Sequence, residues 1–176
     1  MSSSPGLAYN SRDEIEVYRF SPLFIVAVAL AAIFLQAFLP VRINFLGIFD
    51  LPLLVTIFFS VARRNPVSGL LTGCFIGLVQ DALTDKMIGL YGIAKTVVGY
   101  AASSLGVKID VENPGSRLIL TFVFYLLHRV VYLTVQSGLV QESVSGEWLH
   151  HLGAAFANGL LAIVLFAVLD RFKHRA

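Results

Sequence analysis

Apolar runs of a length that suits a bilayer core, which asks for roughly 20 residues, alternate with short polar breaks along this chain. The first opens at Ser21-Pro22, a capping residue followed by proline at the first helical position. It runs to Leu39, where Pro40 is expected to end it. The second opens at Asp50-Leu51-Pro52 and reaches about Ala62, short for a span, so it is expected to draw on 45–49 or to tilt little. Arg63-Arg64 closes it, and Asn65-Pro66 repeats the cap-then-proline start for a third run over 66–83. A tight polar turn leads to a fourth at about 87–105, and the loop 106–116 to a fifth at about 117–140. The sixth starts at His150-His151 and ends near 169. The pattern predicts an all-α polytopic membrane protein of six transmembrane helices.

This divides the chain into an N-terminal tail at 1–20, with a candidate surface helix at 12–20, a six-helix transmembrane domain at 21–170, and a basic tail at 171–176. The first run is read as an uncleaved span, because the runs behind it need a membrane in any case. Loops are too short to host chemistry, so function has to reside in the helices.

Composition agrees, with 57% hydrophobic and 14% charged residues and a mean hydropathy of +0.79. The net charge of +2 gives no reason to expect nucleic acid as a partner; the lipid bilayer is the first one. Arg12, Arg19, Arg63, Arg64, Lys108, Arg117, Arg171, Lys173 and Arg175 fall in the termini and in the second and fourth loops. Only Arg42 and Lys86 fall in the other three. That asymmetry puts both termini in the cytoplasm. The single cysteine, Cys74, lies in an apolar run and reads as a small packing residue.

The stretch 65–106 holds most of the unusual residues. Gly69, Gly73 and Gly77 recur four apart, and Gly89, Gly92 and Gly99 follow at near-helical spacing. Small residues so placed share a face on which another backbone can approach closely. The face suits packing within the bundle, or docking of another membrane protein or of a second copy as a homodimer. Ala27 and Ala31 make a weaker pair of the same kind. Asp81 and Lys95 would each cost about 2.5–3.5 kcal/mol unpaired at a bilayer centre. Their side chains lean toward one another across the hairpin, so an Asp81–Lys95 pair is expected, with Arg129 as the competing cation.

Arg129 stands in the middle of the fifth run and has to face protein. Tyr125, Arg129, Tyr132 and Gln136 make one stripe, with His128 beside it and Asn158 and Gln36 able to join. Such a stripe builds either an internal hydrogen-bond network or a small cationic pocket for an anionic group. His150-His151 with Glu142 or Glu147 lack the spacing of a metal site. No nucleophile pairing or phosphate-binding loop is present, so no catalytic residue, metal or cofactor is expected.

Asp50-Leu51-Pro52, Arg63-Arg64, the glycines leading into Gly77-Leu78-Val79-Gln80-Asp81, Ile88-Gly89-Leu90-Tyr91-Gly92 and Gly99-Tyr100 together resemble the rod shape-determining protein MreD family. The resemblance implies a non-enzymatic component of the wall-elongation machinery in the bacterial plasma (inner) membrane. It implies association with an MreC-like membrane protein and, through it, with an MreB-like filament and the peptidoglycan synthases. Asp50, Gly73, Gly77, Asp81, Gly89 and Gly92 carry over as structural and docking residues. By analogy the six-span plan is also similar to the solute-binding components of energy-coupling-factor transporters, which is the alternative function.

Overall fold

The structure is a computed structural model that describes residues 18–84, 87–106, 113–139, 148–172 and 174–175. Six helices follow one another: α1 (Pro22–Arg42), α2 (Leu51–Arg63), α3 (Pro66–Leu83), α4 (Leu90–Gly106), α5 (Pro114–Leu139) and α6 (Trp148–Asp170). Five are long and apolar enough to cross a membrane, α2 together with a 3-10 turn at Asn44–Ile48 that extends it to a 20-residue span. The sixth, α4, has 17 residues, carries Lys95, and packs against α2, α3 and α5.

Local chemistry sets the helix ends. Asp50 caps α2 by accepting the Leu53 N–H at 2.9 Å, with Pro52 in the first turn. The α2–α3 corner is made by Arg64, which adopts a left-handed conformation (φ 51°), and by Asn65, whose side chain accepts the Val67 and Ser68 amides at 3.0 and 3.2 Å. Pro40 does not end α1. Its missing N–H removes only the bond to the Gln36 carbonyl, and the Ile43 amide still closes the last turn on Leu39 at 3.0 Å. Helix α4 begins at Leu90 rather than 87, because Gly89 turns the chain at φ +110°. Helix α5 begins at Pro114, where the Asn113 carbonyl accepts the Arg117 amide at 3.1 Å.

Of the expected surface helix at 12–20, Tyr18–Arg19 is instead extended and pairs antiparallel with His174–Arg175, which brings the two ends of the chain together. Residues 12–17 of that helix lie outside the described residues, as do Lys86, Glu142, Glu147 and Lys108.

Helix α2 is the axis of the bundle. Every residue from Pro52 to Ala62 is buried, as a helix apolar on all sides requires. At the end nearest the termini its Phe58 and Phe59 meet Phe20, Phe24 and Phe166 with ring centroids 5.2–6.2 Å apart. The opposite end is polar.

Candidate functional site

The glycine ladder lies between α3 and α4, inside the chain. A Cβ at Gly69 would strike the Gly99 carbonyl oxygen and the Ser103 side chain, and one at Gly73 the Lys95 carbonyl oxygen. At Gly77 it would strike the Tyr91 carbonyl oxygen and lie 2.7 Å from the Gly92 Cα. Gly99 returns the contact against the Gly69 carbonyl. Two backbones therefore run against each other along the whole antiparallel hairpin, a packing that only glycine permits at these crossings. All five of these glycines are buried. The sixth, Gly89, belongs to the turn.

Asp81 closes that hairpin at its turn. Its Oδ2 accepts the amides of Gly89 and Gly92, each at 2.9 Å, and its Oδ1 accepts the Tyr91 amide at 3.0 Å. These N–H groups open α4 and have no partner within the helix, and the positive end of the helix dipole favours a carboxylate beside them. Asp81 is 1% exposed and takes neither Lys95 nor Arg129. The expected Asp81–Lys95 pair is thus not formed, because the backbone at the start of α4 already supplies three donors.

Lys95 bonds Asp50 instead. Its Nζ lies 2.9 and 3.0 Å from the two carboxylate oxygens, with the lysine side chain fully buried and the carboxylate 15% exposed. Lys95 is expected to lean toward the start of α4, as helical side chains do, and its ammonium reaches the start of α2 rather than the Asp81 carboxylate on α3. Asp50 is the node of the polar end. Its own amide donates to Asn158 Oδ1 at 2.9 Å, while the Asn158 amide nitrogen donates to the Ile48 and Ala154 carbonyls at 2.9 and 2.8 Å. The next amide, of Leu51, donates to Gln36 Oε1 at 3.1 Å. Helices α1, α4 and α6 are all fastened to the first turn of α2.

The stripe predicted on α5 extends this network sideways. The Tyr91 ring lies 5.2 Å from Lys95 Nζ, 6.0 Å from the His128 ring in a parallel stack and 4.9 Å from Tyr132. Arg129 lies 5.5 Å from the Tyr132 ring and donates from Nε to His151 Nε2 at 3.3 Å. Tyr125 is half-buried against the apolar core. Facing rings and short bonds occupy the space between these helices, and His128 Nε2, wholly buried, has no hydrogen-bond partner among the described residues.

Sequence reasoning named Asp50, Lys95, Asn158 and Gln36 but did not join them. Asp50 and Lys95 are 45 positions apart, and only their common depth at one end of the bundle could have suggested the pair. The role of His151 toward Arg129 and the ion pair of Arg117 with Asp170 at the opposite end had no local signal. Among the described residues no group of three His, Cys, Asp or Glu side chains could hold a metal ion. The constellation orients and fastens helices.

No curated protein and no solved structure matches the chain. The family model of the rod shape-determining protein MreD matches residues 18–174, nearly its whole length, and covers every helix described above. With that coverage, the bundle held at Asp50 and Asp81 is a membrane protein with a role in rod shape determination, and the chain belongs to the MreD family.

Proposed function

We propose that this protein is a non-enzymatic scaffold of the cell-wall elongation machinery in the bacterial plasma membrane, docking an MreC-like single-span partner and linking it to the peptidoglycan synthases. The observation that carries the reading is the internal use of the polar groups: Asp50, Asp81, Lys95 and Asn158 bond to one another or to backbone. Contact with other proteins is left to the outward apolar faces. The glycine seam cannot serve, since α4 fills it. Ala27 and Ala31 on α1 remain exposed, with the Phe34 and Phe38 rings 4.3 Å apart and tilted against each other further along the same face. Small residues four apart beside aromatic side chains offer a partner helix a close approach without a hydrophobic drive, which lipid removes.

The test is purification of the tagged protein in mild detergent from cells that carry the partner, followed by identification of what stays bound. A one-span partner retained by the wild type, and lost from Ala31→Leu at unchanged thermal stability, is the expected result. Retention at the wild-type ratio would place the docking face elsewhere, and a second copy of the chain in place of the partner would make the face a homodimer surface. Gly73→Leu, by contrast, is expected to lose the complex only because the α3–α4 hairpin comes apart.

A further inference from the structure

On the side of α3 turned away from the glycine seam, α1 and α3 leave a groove of about 390 Å³ between them, within the range of ligand-sized clefts. Val26, Ala29, Leu71 and Phe75 line its length, and Arg63, Asn65 and Ser68 line its end nearest the chain termini. The polar end is cationic. Arg63 donates to Ser68 Oγ at 2.7 Å, and neither it nor Arg64 forms an ion pair with any described residue. Asn65 turns its side-chain oxygen to the Val67 and Ser68 amides, so it adds no negative charge there. By the charge distribution along the chain this end lies at the cytoplasmic leaflet.

We infer that the groove binds one anionic phospholipid, its acyl chain along Val26, Leu71 and Phe75 and its phosphate against Arg63. The occupant is read from charge and depth together. Arg63, with no carboxylate partner among the described residues, sits at headgroup level at the mouth of an apolar channel that opens to the bilayer. Basic pockets between helices on the cytoplasmic side are where anionic headgroups lodge. Ser68 already orients the Arg63 guanidinium, leaving its other N–H donors for phosphate oxygens. A partner helix would have no use for an Arg63 that forms no ion pair with any described residue unless it brought its own carboxylate. The inference is independent of which protein the scaffold docks.

The experiment is native mass spectrometry of the purified full chain after exchange into nanodiscs holding equal parts of phosphatidylglycerol and phosphatidylcholine. One phosphatidylglycerol per protein is expected to survive release from the nanodisc. Arg63→Gln, which can still bond Ser68, should weaken retention roughly fivefold, as loss of one basic contact near the membrane surface does. Val26→Trp, at a position 37% exposed, should fill the groove and remove the bound lipid while thermal unfolding stays unchanged. Equal retention of the two lipids, or full retention in both variants, would reduce the bound species to ordinary annular lipid and overturn the proposal. So would a photo-crosslinker at Val26 that joins a protein helix in the native membrane rather than lipid.

Discussion

Asp50 and Asp81 lie at the same end of the bundle and carry the same charge, yet they are held in opposite ways. Asp50 faces a buried ammonium and takes a single amide from its own helix; Asp81 pairs with no cation among the described residues and takes three amides from the start of its neighbour. The difference teaches what a carboxylate in an apolar bundle needs. Where three free amides of a neighbouring helix start converge on it, the backbone can satisfy it. Where only one amide reaches it, as at the N-cap of α2, a side chain of opposite charge completes the set. The first arrangement depends on the path of the chain, and the second on one residue type.

Breaking the ion pair should have the largest effect. Lys95→Leu leaves the Asp50 carboxylate facing apolar surroundings and is expected to lower stability by about 3–5 kcal/mol. Reversible unfolding in mixed detergent micelles reads the change. Adding Asp50→Asn should restore much of it, since the unpaired charge is then gone. A single variant within about 1 kcal/mol of wild type, well below the cost of an unpaired buried charge, would mean that Asp50 reaches water without Lys95.

Removing the other carboxylate should cost less. Asp81→Ala strips three amides of their acceptor, but these are the first donors of a helix and lie near the polar boundary, where water replaces part of the loss. We expect about 1.5–3 kcal/mol, the worth of hydrogen bonding to a charged group. Amide exchange should speed up at Gly89, Tyr91 and Gly92 before it does so elsewhere. Asp81→Asn keeps one oxygen and should fall between the two; exchange that rises evenly along α4 would show the cradle to be incidental.

These two residues also mark how far the sequence could be read. Helix number and starts were legible because proline, asparagine and aspartate caps act locally, at Asp50, Asn65 and Ser21-Pro22. The small-residue spacing announced a close contact at Gly69, Gly73 and Gly77, but spacing does not say whether the facing backbone belongs to the same chain. Asp81 and Lys95 were matched by separation along the hairpin, whereas their true partners follow from rotation about the helix axes. One turn of α4 places Lys95 on the α2 side and leaves Asp81 to the amides, and no pattern of apolar positions fixes that angle. Pro40 misled for a related reason, since a proline in a last turn removes one hydrogen bond without redirecting the chain.

The turn offers a finer test of the amide cradle. Gly89 stands at φ +110° with open space around its Cα, so alanine meets no clash there and only a strained backbone. Gly89→Ala is expected to cost roughly 1–2 kcal/mol. If the cradle depends on chain path, the same variant should also loosen the Tyr91 and Gly92 amides, which the substituted residue does not touch. A loss of stability with those two amides still protected would confine the effect to the turn and separate Gly89 from the binding of Asp81.

The smallest effects probe Asp50 as a shared node. Gln36→Leu removes one bond, to the Leu51 amide, and at a half-buried position it should cost about 0.6 kcal/mol, the average for hydrogen bonds between membrane helices. Asn158→Leu removes the acceptor of the Asp50 amide and both donors to carbonyls at full burial, so its cost should approach the upper value of about 1.7 kcal/mol. The informative measurement is the pair of substitutions together. If Asn158 and Lys95 both act by holding the first turn of α2, the loss from Asn158→Leu should shrink once Lys95→Leu has already released Asp50. Strict additivity in the double variant would mean that the amide and the carboxylate of Asp50 are held independently. The contrast with Asp81 would then rest on the ion pair alone.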